Sequence, residues 1–167
     1  MDQTRTLVLN HKQIQQKITR IAFEIYERNA GEEGMIFAGI TGMGFLLSGL
    51  LVEKLKEISP LKVNQIEIIL DKSSMVIGDV KLSEKLSFQG KCLIIVDDVL
   101  NTGRTLTYAM RPFLEEAIKK MEVAVLVNRS HKLFPVTPDY TGYELSTTLS
   151  EHIIVTLDPL ASSVHLH

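Results

Sequence analysis

The feature that most constrains this chain is an uninterrupted apolar run that ends in two adjacent carboxylates. The run from Cys92 to Val96 is five residues long, and its length and β-branched content are typical of a strand buried on both faces. Asp97 and Asp98 follow it, and the short Thr102–Thr105 loop then leads into a helical pattern. Strand, acidic pair, loop and helix in this order indicate a ligand site at the carboxyl end of a parallel strand.

The acidic pair and its loop suit a phosphorylated sugar. Carboxylates accept hydrogen bonds from hydroxyls, and a ribose diol presents two hydroxyls close together. Residues Thr102–Thr105 offer backbone N–H groups and two threonine hydroxyls to a phosphate. Because side chains alternate along a strand, a bend after Asp98 is needed to bring Asp97 and Asp98 to one ligand. The alternative is a turn at the start of a helix, with both carboxylates in solvent. That alternative would be favoured for an acidic pair alone. The buried strand before the pair and the threonine-glycine loop after it favour the ligand site instead.

A second glycine-rich turn, Gly39–Gly44, follows another short apolar run. Its three glycines allow close backbone approach or positive φ angles. It is either a second anion-binding loop or a tight strand-to-helix turn.

On the same rim, a polar stretch with Arg129, His131 and Lys132 follows a further predicted strand. Lys132 is the best candidate there for an anion contact, and the alternative is a solvated loop.

Hydrophobic periodicity over the rest of the chain predicts strands that alternate with helices. The helices are expected at residues 11–29, 45–58 and 106–120. The buried strands are expected at residues 35–40, 63–70, 92–96 and 122–127. This alternation favours an α/β fold with a doubly wound, mostly parallel sheet and helices on both faces. A small hood from the chain ends would be built from short strands expected at residues 4–9, 139–145 and 152–157.

Three stretches interrupt this regular pattern. Pro112 lies inside the third helical pattern, where it should kink the helix or end it early. Residues 71–79 contain several turn signals and are expected to form a hairpin tip or a mobile loop. The tail from Asp158 is expected to fray.

Length and composition narrow the class of protein. A chain of 167 residues is expected to form a single domain over residues 1–167. No apolar run approaches the roughly 20 residues that span a bilayer, and no signal-peptide pattern follows Met1. Cys92 is the only cysteine, which excludes an internal disulfide and a multi-cysteine zinc site. These features favour a cytoplasmic protein without membrane contact, and the net charge of −2 gives no general attraction to nucleic acid.

The segment Val96–Thr105 resembles the phosphoribosyl-pyrophosphate signature of type I phosphoribosyltransferases. Further segments resemble one branch of that family, the bifunctional pyrimidine-operon attenuator and uracil phosphoribosyltransferase: Ile18–Ala22 with Glu27–Asn29, Val125–Lys132 and Ser150–Asp158. The stretch Pro138–Leu145 also resembles the corresponding part of purine phosphoribosyltransferases. Because the resemblance extends along most of the chain, it implies the type I phosphoribosyltransferase fold.

The resemblance implies a role for each matching residue. Asp97 and Asp98 would be the catalytic carboxylates, holding the ribose hydroxyls directly or through water on a magnesium ion. The 5′-phosphate would be wrapped by Asn101, Thr102, Gly103, Arg104 and Thr105. The pyrophosphate would be met by Thr41, Gly42, Met43, Gly44 and Lys132. The base would be bound by stacking on Tyr140 and by edge contacts from Asn128 and the Thr141 backbone.

The implied reaction transfers the 5-phosphoribosyl group of phosphoribosyl pyrophosphate to a nucleobase, with uracil favoured, and releases pyrophosphate. Magnesium would be the cofactor, and the assembly would be a homodimer or a larger homo-oligomer. Three departures from the family pattern bear on turnover. Thr41 and Met43 stand where the pyrimidine branch places a lysine and an arginine. Residues 71–79 are too short for the family's mobile loop, and Asn101 replaces an aspartate of the purine enzymes.

Two alternatives arise from the same resemblance. One is an RNA-binding, nucleotide-sensing regulator of pyrimidine genes, with Thr19, Arg20 and Arg28 of the first helix as RNA contacts. A solvated charged helix face is the commoner explanation of such residues. The other alternative is a nucleotide-binding protein with impaired catalysis, which the departures from the family pattern support. The sequence favours the enzyme over both.

Overall fold

Two sheets and three α-helices form the part of the chain that this computed structural model describes, residues 5–167. The helices are α1 (His11–Asn29), α2 (Met43–Ile58) and α3 (Arg104–Ala109), and a short 3₁₀ helix follows at Arg111–Glu115. The strands are β1 (Thr6–Leu9), β2 (Gly34–Ile40), β3 (Lys62–Ile69), β4 (Lys81–Leu82), β5 (Cys92–Leu100), β6 (Lys120–Arg129), β7 (Tyr140–Leu145), β8 (Ile153–Thr156) and β9 (Ser163–Leu166). None of the helices in residues 5–167 combines the length and apolarity needed to cross a bilayer.

The larger sheet is open and doubly wound, which confirms the predicted fold class. Its strand order is β4-β3-β2-β5-β6-β7. Strands β2, β3, β5, β6 and β7 run parallel, and β4 pairs antiparallel with β3 at one edge. The chain builds outward from β2 to β3 and then returns to the centre at β5. The direction of winding therefore reverses between β2 and β5, and the crevice outside their carboxyl ends is where such sheets bind ligands.

Strand β5 occupies the centre of this sheet because it is apolar on both faces. Residues 93–96 are fully buried. Side chains of α1 and α2 pack against Ile94 on one face, and side chains of α3 and the 3₁₀ helix pack against Leu93 on the other. Cys92 is buried in the same strand, and this burial raises the pKa of its thiol. The thiol is therefore held in its neutral form.

Helix α1 begins where the sequence predicts, and its first turn is closed by reciprocal side-chain bonds. The Asn10 side chain accepts the backbone N–H of Gln13 at 2.9 Å, and the Gln13 side chain accepts the N–H of Asn10 at 2.9 Å. One face of the helix is a buried stripe of Ile14, Ile18, Ile21 and Ile25. Each such side chain contributes about 1.5–3 kcal/mol by leaving water, so this stripe fixes α1 on the sheet.

The third helix is shorter than the sequence predicts. It ends at Ala109, and the 3₁₀ helix that follows contains Pro112. Proline lacks an N–H and its ring clashes with the preceding turn of an α-helix. The early stop expected at Pro112 is therefore confirmed, and the helical extension to residue 120 is wrong.

The hood expected from the chain ends is a three-stranded antiparallel sheet with the order β1-β9-β8. The tail from Asp158 was expected to fray, but it forms β9 in the middle of this sheet, where Val164 is fully buried. His152 and His167 exchange N–H···O bonds of 2.9 and 2.8 Å, so pairing satisfies the backbone of the tail. Residues 140–145, also expected in the hood, form the edge strand β7 of the larger sheet. Thr4, the expected start of the first strand, lies outside the described residues.

Candidate active site

A cavity of about 330 Å³ opens where the carboxyl end of β5 leads into α3. Its lining consists of Lys72, Asp97, Asp98, Val99, Leu100, Asn101, Thr102, Gly103, Arg104, Thr105, Leu106 and Ile153. The structure therefore brings together every predicted residue from Asp97 to Thr105. Strand β5 extends past the acidic pair to Leu100, so the loop begins two residues later than the bend expected after Asp98.

Asp97 is the most deeply buried ionisable group of this cavity, with 2% of its surface exposed. Its Oδ1 accepts hydrogen bonds from the Lys72 ammonium and from the backbone N–H of Asp98, each at 2.9 Å. Burial, reinforced by the neighbouring Asp98 carboxylate, raises the pKa of Asp97 to about 8, although the Lys72 ammonium opposes this shift. The Oδ1 atom of Asp98 lies 4.0 Å from the same ammonium. The Lys72 ammonium therefore lies within 4.0 Å of both carboxyl groups.

Asp97 is enclosed because the first turn of α2 packs directly against it. A Cβ atom placed on Gly44 would lie 2.9 Å from Asp97 Oδ1 and 2.9 Å from the Val96 carbonyl oxygen. Gly42, just before the helix, has a φ of +87°, which favours glycine. The sequence analysis expected the glycines of this turn to allow either a positive φ angle or a close backbone approach. The structure shows both, the first at Gly42 and the second at Gly44.

The loop after the acidic pair is hydrogen-bonded to the segment that follows β6 and packs against it. Gly103 has a φ of +87°, and a Cβ atom there would lie 3.3 Å from Cβ of Phe134. The backbone N–H groups of Leu133 and Phe134 donate to the Thr102 carbonyl oxygen at 2.8 and 3.0 Å. Thr102 also accepts the N–H of Arg104 with its side-chain oxygen at 3.3 Å. The loop is therefore preorganised at the start of α3.

The residues expected to meet pyrophosphate lie beside this cavity and are absent from its lining. Thr41 donates its hydroxyl to Glu67 Oε1 at 2.7 Å, and the Met43 sulfur accepts the N–H of Leu157 at 3.4 Å. Both side chains are thus engaged by protein partners. Lys132 is exposed, next to the Leu133 N–H that holds the Thr102 loop.

The structure does not bring Tyr140 and Thr141 to this edge of the sheet, which corrects the expectation that they bind a base. Tyr140 is the first residue of β7 and is fully buried. Its hydroxyl donates to Glu122 Oε2 at 2.7 Å, and the Thr141 carbonyl accepts from Arg20 at 2.8 Å. In a parallel sheet, the amino-terminal residues of a strand lie at the edge opposite the carboxyl ends. The Tyr140 ring therefore has no free face at the site.

Asn128 lies at the carboxyl end of β6, in register with Leu100 of β5. It is 7% exposed, and its side-chain N–H donates to Glu144 Oε1 at 3.1 Å. Its Oδ1 atom is buried and has no hydrogen-bond partner within residues 5–167. Of the three predicted base-binding residues, Asn128 is thus the one at the correct edge of the sheet, and it has an unused acceptor.

Ile153 of β8 is a lining residue that the sequence analysis missed. Its placement depends on Arg129, which is 8% exposed and donates to the carbonyl oxygens of Thr148 and Glu151 at 2.7 and 2.8 Å. These bonds hold the turn that leads into β8, and they account for Arg129 within the polar stretch that was assigned to the rim. The Arg129–Asn101 hydrogen bond, at 3.4 Å, links the same side chain to the loop. A lone isoleucine in a short strand gives no sequence signal for such a role.

Lys72 lies in the segment 71–79, which the sequence predicts to be a hairpin tip or a mobile loop. In the structure, residues 71–79 are neither helix nor strand, and they pack beside the cavity. Arg104 donates to the Met75 carbonyl at 2.8 Å, Arg111 donates to the Gly78 carbonyl at 2.9 Å, and Ile77 is buried in the core. This anchoring explains how an irregular segment places a cation on the acidic pair.

The arginines considered for RNA contacts are engaged by the edge strand of the protein itself. Arg20 donates to the carbonyl oxygens of Thr141 and Gly142 at 2.8 and 3.0 Å. The guanidinium of Arg28 lies 5.0 Å from the centre of the Tyr140 ring. The two Arg20 bonds thus satisfy backbone acceptors of the edge strand β7.

The donor atoms of the acidic pair suit a magnesium ion that arrives with a phosphate ligand. Over residues 5–167, no group of three or more metal-ligating side chains is present. Magnesium prefers oxygen ligands and typically binds through one or two carboxylates, water and substrate phosphates. Asp97 and Asp98 supply such carboxylates, and the Asp98 side chain is the more accessible, at 20% exposed against 4%.

A larger cavity, of about 610 Å³, lies at the opposite edge of the sheet, around the amino ends of β2 and β5. Its lining includes Glu32, Lys62 and Lys119, and Glu32 pairs with Lys119 at 2.7 Å. None of the predicted site residues lies there. We place the site in the smaller cavity because parallel sheets bind ligands at the carboxyl ends of their strands.

The sheet order and the position of the cavity place this chain in the class of doubly wound α/β proteins. The ligand sites of this class lie at the carboxyl edge of a parallel sheet. Residues 5–159 match the family model described as the phosphoribosyl transferase domain. The chain therefore belongs to the phosphoribosyltransferase family. This match confirms the resemblance drawn from Val96–Thr105 and the assignment of the chain as a phosphoribosyltransferase.

Relatives of this family cover nearly the whole chain. The bifunctional protein PyrR of Bacillus subtilis is 34% identical, with 92% of this chain and 91% of the relative covered. The bifunctional protein PyrR of Citrifermentans bemidjiense is 33% identical, with the same shares covered.

Solved structures show the same fold at lower identity. The hypoxanthine phosphoribosyltransferase of Trypanosoma cruzi matches with a TM-score of 0.77 and 17% identity, covering 89% of this chain and 85% of that one. A hypoxanthine-guanine phosphoribosyltransferase from Bacillus anthracis matches with a TM-score of 0.70 and 21% identity, covering 84% and 82%. At these identities the likeness establishes the fold alone.

Proposed function

We propose that this protein transfers the 5-phosphoribosyl group of phosphoribosyl pyrophosphate to uracil and releases pyrophosphate. The observation that carries the proposal is the continuous lining from Asp97 to Thr105 around one cavity, in a chain that belongs to the phosphoribosyltransferase family. The choice of uracil rests on the resemblance to the pyrimidine branch. Each step of the proposal assigns a lining residue to one part of the substrate.

The ribose hydroxyls would bind at the acidic pair. Asp98 is the more accessible carboxylate and would accept hydrogen bonds from the hydroxyls, while the buried Asp97 keeps the Asp98 backbone in place through its N–H bond. A magnesium ion held by these carboxylates and by the substrate would neutralise charge on the pyrophosphate. This role agrees with a donor set that contains only oxygen atoms.

The 5′-phosphate would bind at the loop from Asn101 to Thr105. The hydroxyls of Thr102 and Thr105 and the free N–H groups at the start of α3 offer donors to phosphate oxygens. The loop needs little rearrangement on binding, because Phe134 and the φ angle of Gly103 already fix its shape. Such preorganisation reduces the entropy lost on binding.

The base would lie beside Ile153, which supplies an apolar surface for the ring. Asn128 is in register with Leu100 of the lining, and it would accept from a ring N–H once its buried Oδ1 turns to the cavity. In the reaction, a base nitrogen forms a bond to the anomeric carbon, the bond to the pyrophosphate oxygen breaks, and its electron pair leaves with pyrophosphate. The base proton passes to water, because Asn101 cannot act as a base. Catalysis would come mainly from positioning and from stabilisation of the leaving group.

An RNA-binding function is not part of this proposal. Arg20 and Arg28, the arginines that would support it, are engaged by the backbone and ring of β7. Their contacts already account for their presence on α1.

Pyrophosphate release tests the proposal. The protein is incubated with phosphoribosyl pyrophosphate, magnesium and, in turn, uracil, cytosine, hypoxanthine and guanine. We expect release with uracil and none above background with the purines. No release with any base, together with thermal stabilisation by phosphoribosyl pyrophosphate, would contradict the transfer and favour a nucleotide-binding protein that has lost catalysis. Release with purines alone would contradict the choice of substrate.

A further inference from the structure

Arg129 is a buried cation that the proposed transfer does not use. It is the last residue of β6, at the carboxyl edge of the sheet, and it is 8% exposed. The ion pairs among residues 5–167 do not include Arg129. A buried charge is costly without a counter-charge, because the protein interior solvates it less well than water does. Its position at the ligand-binding edge therefore favours an anionic ligand as the compensating charge.

The hydrogen bonds of Arg129 account for its orientation but not for its charge. The guanidinium donates to the Thr147 hydroxyl, to the carbonyl oxygens of Thr148 and Glu151, and to Asn101 Oδ1. All four acceptors are neutral. The Glu151 carboxylate accepts the Thr148 N–H at 2.6 Å, and its pKa is lowered mainly by the bonds from Thr148 and least by Arg129. Neutral groups therefore hold a full positive charge.

Asn101 connects this charge to the loop that is proposed to bind the 5′-phosphate. Its Oδ1 lies 3.4 Å from a guanidinium nitrogen of Arg129. Because a guanidinium has donors and no acceptor, the oxygen end of the amide faces Arg129. The N–H groups of the same amide are then available to a ligand in the cavity, which Asn101 lines. One side-chain amide would thus separate the guanidinium from a phosphate bound to this loop.

The other cationic side chains near the loop are exposed or directed elsewhere. Arg104 donates to a backbone carbonyl of the adjoining 71–79 segment. The Lys72 ammonium lies 2.9 Å from Asp97 Oδ1, and Lys132 is exposed to solvent. Arg129 differs from these three in being buried. A charge in the protein interior acts on a neighbouring anion more strongly than a solvated charge does.

We propose that Arg129 is a positioning residue that supplies the counter-charge for the 5′-phosphate, acting through Asn101. This inference rests on the proposed function. A phosphate monoester carries close to two negative charges at neutral pH, because its second pKa is about 6. The backbone N–H groups and the threonine hydroxyls of the loop are neutral donors and leave these charges uncompensated. Arg129 therefore makes the site prefer a phosphate dianion over a singly charged ester.

Calorimetry with two ligands of different charge separates the charge of Arg129 from its bonds to the turn before β8. Full-length variants are titrated at pH 8 with uridine 5′-monophosphate and with its phosphate methyl ester, which has one negative charge fewer. We expect Arg129→Gln to reduce the preference for the monophosphate over the ester about tenfold. Arg129→Lys keeps the charge and should retain the preference within about twofold of wild type.

The matched control is Arg20→Gln. Arg20 also donates to two backbone carbonyls, those of Thr141 and Gly142, but it lies on α1, away from the cavity. Its substitution should leave the preference unchanged. Equal weakening of both ligands in Arg129→Gln would overturn the proposal, because Arg129 would then act only by holding the turn. A loss of preference in Arg129→Lys as large as in Arg129→Gln would also overturn it.

A second measurement needs no variant. The pKa of the phosphate in bound uridine 5′-monophosphate, followed by phosphorus NMR, should lie at least about one unit below that of the free nucleotide. An unlowered pKa in the wild type would overturn the proposal even if Arg129→Gln does not fold. If the wild type turns over no base and the preference for the dianion still depends on Arg129, the transfer proposal fails and the assignment of Arg129 stands.

Discussion

The ammonium group of Lys72 lies 2.9 Å from Oδ1 of Asp97, a carboxyl group that is 2% exposed. This contact opposes two effects that disfavour ionisation, the loss of water around Asp97 and the charge of Asp98. The two effects prevail, and the pKa of Asp97 rises from 3.8 to about 8. The folded protein therefore holds the Asp97 proton more tightly than the unfolded chain does.

Asp97 should make the protein less stable as the pH rises from about 4 to about 8, because the native state binds a proton there that the unfolded state releases. Asp97→Asn removes the cost of the buried charge. We expect it to raise the free energy of unfolding by about 1–3 kcal/mol more at pH 8 than at pH 5, as measured by urea denaturation. Asp79→Asn, at an exposed position, should show no such pH dependence. A gain that is the same at both pH values would contradict the raised pKa.

Gly44→Ala should weaken the site by pushing against Asp97. The added Cβ would lie 2.9 Å from Asp97 Oδ1, so helix and strand must separate, at a cost of about 1–3 kcal/mol. We expect a lower melting temperature and weaker binding of phosphoribosyl pyrophosphate. Gly49→Ala on the same helix is the control, because its Cβ meets only the Gln65 side chain, at 3.3 Å. Equal effects of the two changes would contradict the close-packing argument.

Gly103→Ala should impair phosphate binding beyond its effect on stability. Both Gly103 and Gly90 have positive φ angles, of +87° and +67°. Alanine should therefore cost about 1 kcal/mol of stability at either position. At Gly103 the new Cβ also meets Phe134, and we expect the affinity for uridine 5′-monophosphate to fall at least tenfold. Gly90→Ala, where nothing lies within 4 Å of the Cβ, should leave that affinity unchanged; a loss there would refute the local role of Gly103.

We expect Ile153 to contact the base and Tyr140 to act only as a core residue. Tyr140→Phe leaves the buried Glu122 carboxylate without its hydroxyl donor and should lower the free energy of unfolding by about 1–3 kcal/mol. Tyr140→Leu removes the ring as well and should leave the KM for the base within twofold of wild type. Ile153→Ala should raise that KM severalfold with a smaller effect on stability. Steady-state kinetics with the base as varied substrate tests both expectations. A raised KM in Tyr140→Leu would instead support stacking of the base on Tyr140.

The parts of the site that could be predicted from sequence are those that local chain geometry determines. The apolar run, the acidic pair and the Thr102–Thr105 loop are contiguous, so one strand-to-helix connection brings them together. The glycine requirement at Gly42 and Gly103 is likewise local, because it follows from the turn itself.

The parts that could not be predicted depend on contacts between distant segments. Ile153 reaches the cavity because Arg129 holds the preceding turn, and that contact joins β6 to the hood. Tyr140 is buried by α1, more than a hundred residues earlier, through the hydrogen bond from Asn29. Lys72 follows a strand end and occurs in a segment without periodicity. Nothing in its neighbourhood indicates that Arg104 and Arg111 will fix that segment beside the acidic pair.

The most direct test of the central claim is the affinity for phosphoribosyl pyrophosphate, measured by calorimetry in the presence of magnesium. Asp98→Asn removes an accessible carboxylate from the proposed ribose subsite, and hydrogen bonds to charged groups contribute about 1.5–3 kcal/mol. We expect the dissociation constant to rise at least tenfold in Asp98→Asn and to stay within twofold of wild type in Asp79→Asn. An unchanged affinity in Asp98→Asn would show that the phosphoribosyl group binds elsewhere.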